Sequence, residues 1–304
     1  MQRVEFGWWL PVGPQEWLSR QEFLAGISHG LALIESSFSS FWCIDHLLDP
    51  TPLLEGWTTL IYLASTAPHL FFGHAVLSQS FRNPALLAFM AATAQYMSEG
   101  RFILGLGAGW KEEEYRAFNY PFPGAGQRVD ELGEALAIIR ALWSYKSASF
   151  SGRFHQIQEA HCDPHPEPLP PLMLGGTGPR MLDLAARYAD WWNASWFDLA
   201  RYRQQIQICE HACATVQRNP ATLRRTLFSE CVCGPTNEAV RILNVKALPA
   251  QGNFIGTPDQ IIEQMKPLVE LGVDLFILSC GGFPKLTTLE LLSTEVLPKL
   301  NRIQ

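Results

Sequence analysis

The sequence predicts an α/β fold, a single (β/α)8 TIM barrel over residues 1–304, and three observations carry that reading. Short runs rich in β-branched and aromatic residues alternate eight times with longer segments of helical periodicity. No shift in composition divides the chain, and 304 residues suit one barrel with insertions. A content of 47% hydrophobic, 17% charged and 12% aromatic residues gives a large interior, which excludes fibres, disordered tails and small disulfide-stapled scaffolds.

The first strand is read at 4–10 with a helix over about 20–36, and the second at 41–44 with a helix near 54–65. The third strand, 69–77, leads to a helix at 84–97, where Pro84 falls in the first turn and removes no needed donor. The fourth, 101–107, feeds the clearest helix, about 128–144, with Leu132, Ala135, Leu136, Ile139, Leu142 and Trp143 recurring on one face. Ser151-Gly152 joins two short alternating runs between 150 and 158, as in a small hairpin. The stretch from Asp163 to Pro171 is too proline-rich for a helix or central strand and is expected to run extended over the surface. The fifth strand, 172–174, ends in Gly175-Gly176 before a helix at 179–188. The sixth is 191–194 with a helix at 199–216, and the seventh is 225–231. Thr257-Pro258-Asp259 opens a helix through 270 with Thr257 as its cap, followed by an eighth strand at 273–278 and a last helix near 288–300. Residues 232–256 show no firm element and are read as a long insertion, as is 148–170.

Charge excludes some partners. Lys+Arg 23 against Asp+Glu 29 gives a net −6 with no long basic run, so no nucleic-acid surface is expected. No stretch of ~18 uncharged apolar residues occurs, so no membrane span is expected. The start Met1-Gln2-Arg3-Val4-Glu5-Phe6 lacks the apolar core of a secretory signal. The seven cysteines are dispersed and odd in number; they read as buried reduced thiols of a cytoplasmic protein, and no metal site is expected.

In such barrels the chemistry collects at the C-terminal ends of the strands. After the second strand stands Asp45-His46, which suits a proton donor with an orienting partner; the plain alternative is a helix-capping Asp beside a surface His. The third strand, Phe71-Phe72-Gly73-His74-Ala75-Val76-Leu77-Ser78, sets small residues among bulky ones, for a flat ligand or simply to relieve crowding. His74 reads as a core histidine and Arg82 as a solvated loop arginine. After the fourth strand comes Gly105-Leu106-Gly107-Ala108-Gly109-Trp110. It fails the dinucleotide fingerprint, since Trp110 or Glu112 stands where the third glycine is needed. The following Lys111-Glu112-Glu113-Glu114 reads as a solvated helix start. Gly175-Gly176-Thr177-Gly178-Pro179-Arg180 opens a helix and offers a phosphate cradle of backbone N–H groups, with a tight βα turn as the alternative. No G-x-S-x-G elbow is present, and Trp8-Trp9-Leu10 stands where a metal hydrolase needs paired histidines. The mouth suits a flat cofactor with a phosphate tail better than a hydrolytic site.

These residues carry a resemblance. Asp45-His46 with Leu54-Glu55-Gly56-Trp57, Arg82-Asn83-Pro84, Ser98-Glu99-Gly100-Arg101 running on to Trp110, Pro170-Pro171 to Gly178, Ala186-Arg187-Tyr188-Ala189-Asp190, Gly256-Thr257-Pro258 and Leu271-Gly272-Val273-Asp274 resemble, in order over about 3–300, the bacterial luciferase-like flavin and deazaflavin oxidoreductases. The pattern is nearest the F420-dependent members, with FMN users as neighbours. The resemblance implies a cofactor at the barrel mouth, F420 or alternatively FMN, and a non-proline cis peptide at Ala75–Val76 behind its ring. It implies His46 as catalytic acid/base, with Asp45, Ala75, Val76, Ser78, Ala108 and Gly109 lining the cofactor and Gly175, Gly176, Thr177 and Gly178 at its phosphate. Some deazaflavin dehydrogenases carry a catalytic carboxylate where this chain has Trp110, which argues against sugar-phosphate oxidation; Trp110 is instead expected to shape an apolar substrate pocket with Trp8 or Trp9. The resulting expectation is hydride transfer between F420 and a small organic substrate. The alternatives are an FMN-dependent monooxygenase fed by a separate reductase, and a non-catalytic cofactor-binding protein. Relatives being often dimers, a homodimer is expected.

Overall fold

A computed structural model describes residues 3–11, 13–14, 18–195, 198–244 and 246–303. Eight parallel strands close into a barrel: β1 (Glu5–Trp9), β2 (Ser40–Cys43), β3 (Phe71–His74, resuming as Leu77–Ser78), β4 (Phe102–Gly107), β5 (Leu172–Gly175), β6 (Trp191–Ser195), β7 (Arg224–Cys233) and β8 (Val273–Cys280). Each pairs with its sequence neighbour, and β8 returns to β1 with Glu5 opposite Leu275 and Trp9 opposite Ser279. Outside lie α1 (Arg20–Ile34), α2 (Gly56–Ala64), α3 (Pro84–Met97), α4 (Ala125–Ser144), α5 (Pro179–Tyr188), α6 (Leu199–Thr215), α7 (Pro258–Glu270) and a last helical stretch from Thr287 to Ile303 with a π turn at Leu292–Val296. The (β/α)8 expectation therefore stands, with strand and helix positions close to those read from the sequence.

The period-2 alternation of the strands separates two cores. Trp42, Ile103, Met173, Leu275 and Ile277 plug the barrel interior, joined by Trp9, Ala75, Val76, Trp191 and Phe228. The opposite faces pack against the helices in a much larger shell that includes Phe6, Trp8, Phe41, Phe72, Leu104, Leu227 and Phe276. Cap chemistry fixes where helices begin. Ser19 and Glu22 form a capping box on α1, Asn83 accepts the Ala85 and Leu86 N–H groups ahead of Pro84, and Thr257 with Gln260 does the same for α7. All seven cysteines are free and most are buried, and burial pushes the Cys209 and Cys233 thiols up to about 12.

Two insertions depart from the bare barrel. The hairpin is present as Ala148–Ser151 against Gln156–Ala160, its turn held by Glu134, which accepts the N–H groups of Arg153, Phe154 and His155. Residues 232–256, expected to lack structure, instead hold a helix at Asn237–Leu243 and a strand at Asn253–Gly256. The lower part of β7, Arg224 to Phe228, pairs with β6. The upper part, Glu230 to Cys233, pairs with the 253–256 strand, so a ninth parallel strand stands beside β7 at the mouth. Elements of four and seven residues leave too short a period to be read from sequence alone.

Candidate active site

The chain leaving β2 turns two adjacent polar side chains to different tasks. Asp45 is 5% exposed and fully engaged: both oxygens take Arg82 Nη atoms at 2.8 Å, and Oδ2 also accepts the Ser78 N–H at 2.9 Å. Arg82 continues to Glu55 at 3.1 Å, whose carboxylate caps α2 by accepting the Trp57 and Thr58 N–H groups. Asp45, expected as a cofactor contact, also acts as a strut that ties the chain leaving β2 to the segment after β3, and Arg82 is its half-buried counter-ion rather than a solvated loop residue. Ser78 is likewise committed, its Oγ lying 2.5 Å from the buried Tyr115 hydroxyl.

His46 faces the other way. Its Nδ1 lies 2.8 Å from Glu114 Oε1, and Glu114, only 2% exposed, also accepts the Leu48 N–H at 3.3 Å and pairs with Lys111 at 3.3 Å. Lys111 Nζ donates to the Leu48 carbonyl, which closes the cluster. An ionised carboxylate only accepts, so Nδ1 carries the proton toward Glu114 and Nε2 is left to meet a ligand. Trp110, 71% exposed, sets its ring edge-on to His46 with centroids 5.6 Å apart. The acidic run does open a helix, Glu112–Ala117, but that helix is not the solvated one the sequence suggests, since Glu114 and Tyr115 on it are buried. The one available signal was Tyr115 directly after Glu114, an apolar step in a charged run.

At the ends of β4 and β5 the wall is glycine. The Ala75–Val76 peptide is cis, as the resemblance implied, and both residues are half-buried. A Cβ on Gly107 or Gly175 would stand 2.8 or 2.9 Å from Val76 Cγ2, so the Val76 bend fits only because β4 and β5 end in glycine. Gly109 has φ +74°, and a Cβ there would collide with the Tyr115 hydroxyl. Gly178 caps α5 without a side-chain cap, and open space surrounds it, while the Gly176 carbonyl accepts the Trp192 indole N–H at 2.9 Å. Ala108, Gly109, Gly175, Gly176 and Thr177 are half-buried around this arc. The arc fits a flat ring with an anionic tail: its close approaches are backbone, and the uncapped start of α5 offers N–H donors. Arg180 takes no part, since it is ion-paired with Asp130 and donates to the Gly126 carbonyl at 3.1 Å.

Of the two tryptophans on β1, Trp8 is not at the mouth. It is 1% exposed and packs on Gly30 of α1, because even-numbered β1 residues face the helices. Trp9 faces inward against Phe228, centroids 5.3 Å apart. His74 is buried and stacked on Trp57 at 5.5 Å; burial pushes its imidazole down to about 4, which keeps it neutral in the core.

Comparison with known proteins adds to this geometry. The model of the luciferase-like monooxygenase family matches residues 4–248. The F420-dependent hydroxymycolic acid dehydrogenase of Mycobacterium tuberculosis is 28% identical over 93% of this chain and 87% of its own length. The pyrimidine monooxygenase RutA of Methylorubrum extorquens is 28% identical over 62% of this chain, but over only 56% of its own. Among solved structures, an F420-dependent secondary alcohol dehydrogenase superposes with a TM-score of 0.85 at 19% identity, covering 98% of this chain and 99% of its own. The long-chain alkane monooxygenase LadA gives 0.83 at 14% identity, covering 100% and 92%.

Proposed function

The chain belongs to the luciferase-like monooxygenase family, and from that premise we propose that it is an F420-dependent oxidoreductase acting on a small, largely apolar organic substrate. The observation that carries the reading is the His46–Glu114 pair, 2.8 Å apart, at the same mouth as the glycine arc. Support for deazaflavin comes from the F420-dependent hydroxymycolic acid dehydrogenase, which aligns over 93% of this chain and 87% of its own length.

In this reading the loop Gly175, Gly176, Thr177 and Gly178 holds the anionic tail, the Gly176 N–H staying with the Asn193 carbonyl at 3.2 Å while the loop beyond it turns its backbone N–H groups to the ligand, and Ala75, Val76, Ala108 and Gly109 border the ring. Bound deazaflavin supplies a carbon that takes or gives a hydride. His46 holds the proton at Nε2: it accepts the hydroxyl proton when a carbinol is oxidised and returns it to the carbonyl oxygen in reduction. Glu114 fixes the ring and the tautomer, and Trp110 shields the face of the site from water. Equilibrium dialysis tests the assignment. F420 is expected to bind at micromolar concentrations and FMN more weakly; F420 failing to bind at tens of micromolar overturns it. Oxygen uptake with FMNH2 alone establishes the monooxygenase instead.

The expected homodimer has a candidate face. The helices α2 and α3 contain no charged residue, and Ile61, Tyr62, Leu86, Phe89, Tyr96 and Met97 are exposed on them. A second copy supplies the same uncharged face about a two-fold axis, as a self-complementary interface requires. Leu86→Glu with Phe89→Glu is expected to sediment as a monomer; an unchanged sedimentation coefficient removes this face from consideration.

A further inference from the structure

One part of the mouth is used by none of the roles above. Trp9, Ser279 and Glu230 lie in a single row across β1, β8 and β7: Trp9 is the register partner of Ser279, and Ser279 that of Glu230. Register also fixes their direction. Thr226 stands opposite Leu275 and Phe228 opposite Ile277, and both partners belong to the interior plug, so Glu230 continues the inward face of β7 two residues nearer the mouth. Adjacent strands being ~4.8 Å apart, the row spans roughly 10 Å from an indole to a carboxylate.

The hydrogen-bonding state of the row is unbalanced. The Trp9 indole N–H is buried and has no acceptor among the described residues. A buried donor left unpaired costs free energy, which an arriving acceptor recovers. The Glu230 side chain is 30% exposed, and its cationic neighbour is Lys246, itself 71% exposed and 3.6 Å away, a distance too long for a hydrogen bond. The carboxylate therefore keeps acceptor capacity. Phe228 and Trp9 supply an aromatic wall beside it. The 253–256 strand pairs with Glu230 through Asn253, so the carboxylate stands on rigid sheet rather than on a loop.

We propose that this row is a substrate subsite that reads a hydrogen-bonding head group on an otherwise apolar molecule, Glu230 accepting from a donor group such as a hydroxyl or amine and Trp9 Nε1 donating to an oxygen acceptor. The inference rests on the reading of the mouth as the active site, but it holds for either cofactor. It assigns specificity to β7 and β1, away from His46, so that the group read by the row is distinct from the reacting carbon.

Four cyclohexyl probes that differ only in their head group test it: cyclohexanol, cyclohexylammonium, cyclohexanone and cyclohexanecarboxylate, titrated against the full chain by calorimetry or ligand-observed NMR, with and without F420. Wild type is expected to bind the first three and reject the carboxylate. Glu230→Leu is expected to weaken the alcohol and the ammonium about tenfold or more and to leave the ketone unchanged. Trp9→Phe, which keeps a ring and removes the N–H, is expected to weaken the ketone and leave the ammonium unchanged. A larger Glu230→Leu effect on the ammonium than on the alcohol marks an amine as the natural head; the reverse marks a hydroxyl. Glu230→Gln, in case the leucine variant fails to fold, keeps the volume and an acceptor oxygen but removes the charge, and is expected to weaken the ammonium while admitting the carboxylate. Carboxylate binding as tight as alcohol binding, no binding of any probe, or variants that shift all four probes equally overturn the subsite. F420 binding is measured on the same samples: its loss alone defeats the cofactor assignment, whereas loss of the crossed pattern with F420 bound defeats the subsite alone.

Discussion

The two ends of the barrel use the same residue types to opposite effect. At the N-terminal end Arg224 sits between Asp274, 2.6 Å from its Nε, and Glu5, 3.1 Å from Nη2, with its guanidinium carbon 4.5 Å from the Trp191 ring centroid. Both carboxylates there are ion-paired with Arg224, although its Nη2 makes no hydrogen bond among the described residues. At the C-terminal end the answering stops halfway: among the described residues His46 has a carboxylate on Nδ1 and no hydrogen bond on Nε2, and the Trp9 indole N–H has no acceptor. A closed ion cluster contributes stability and orientation; a half-answered one leaves bonding capacity for a ligand. The contrast matches the general division of labour in such barrels, with stability at the bottom and chemistry at the top.

The strongest way to break this comparison is to remove one group from each end. His46→Ala is expected to lower turnover by about 100- to 10,000-fold, the range of general acid–base catalysis, with the melting temperature and F420 affinity close to wild type. Arg224→Leu should do the reverse. Leaving the buried Asp274 carboxylate without its counter-ion is expected to cost about 3–5 kcal/mol in denaturant unfolding, with kcat of the folded fraction unchanged. If Arg224→Leu proves catalytically impaired while stable, or His46→Ala unfolds, the two ends are not separate in function.

Much of this was legible before the structure, for physical reasons that differ by residue. The barrel strands are bounded by glycine and proline and filled with β-branched and aromatic residues, so their existence is a local property. His46 and the glycines of 175–178 stand where strands end, and strand ends are readable. Glu114 was not, because its meaning lies in a contact 68 positions away, and an acidic run without that contact is a solvated helix start. Trp8 and Trp9 could not be told apart, since alternation fixes that they face opposite sides but not which side is inside. Glu230 lies within a strand rather than after it, and only the registry with β8 shows that it faces inward. The Asp45–Arg82 pair was not legible, because an arginine partner 37 positions on cannot be foreseen from spacing.

A smaller and more specific effect separates orientation from chemistry at the top. Glu114→Gln keeps the volume but offers His46 Nδ1 either an oxygen or an NH2 group, so the proton is no longer held on Nδ1. Turnover is expected to fall roughly tenfold, about 1.4 kcal/mol of barrier, with the KM for substrate little changed and the pH–rate profile displaced. Glu114→Asp, which retains the charge one methylene shorter, should recover part of the loss. A pH profile identical to wild type in the glutamine variant would reduce Glu114 to a packing role.

The finest test is at the bottom, through pH. Burial pushes the Asp274 carboxyl above its ordinary range, and Arg224 offsets this only in part. A carboxyl whose folded-state pKa is raised binds its proton more tightly folded than unfolded. Its favourable contribution is therefore complete below the ordinary carboxyl range and is lost as pH rises through the raised value. Wild type should show this loss of stability over the mildly acid range above the ordinary aspartate value, superimposed on the opposite trend from carboxyls such as Glu134. There burial acts to raise the pKa, but three backbone N–H donors outweigh it and hold the group low. Asp274→Asn removes one titration and leaves the other, so the difference in unfolding free energy between variant and wild type should change with pH in that window and be flat above it. A difference curve for Asp274→Asn that is flat throughout would show that Arg224 answers this carboxylate completely, and the bottom of the barrel would then be even more fully closed than its geometry indicates.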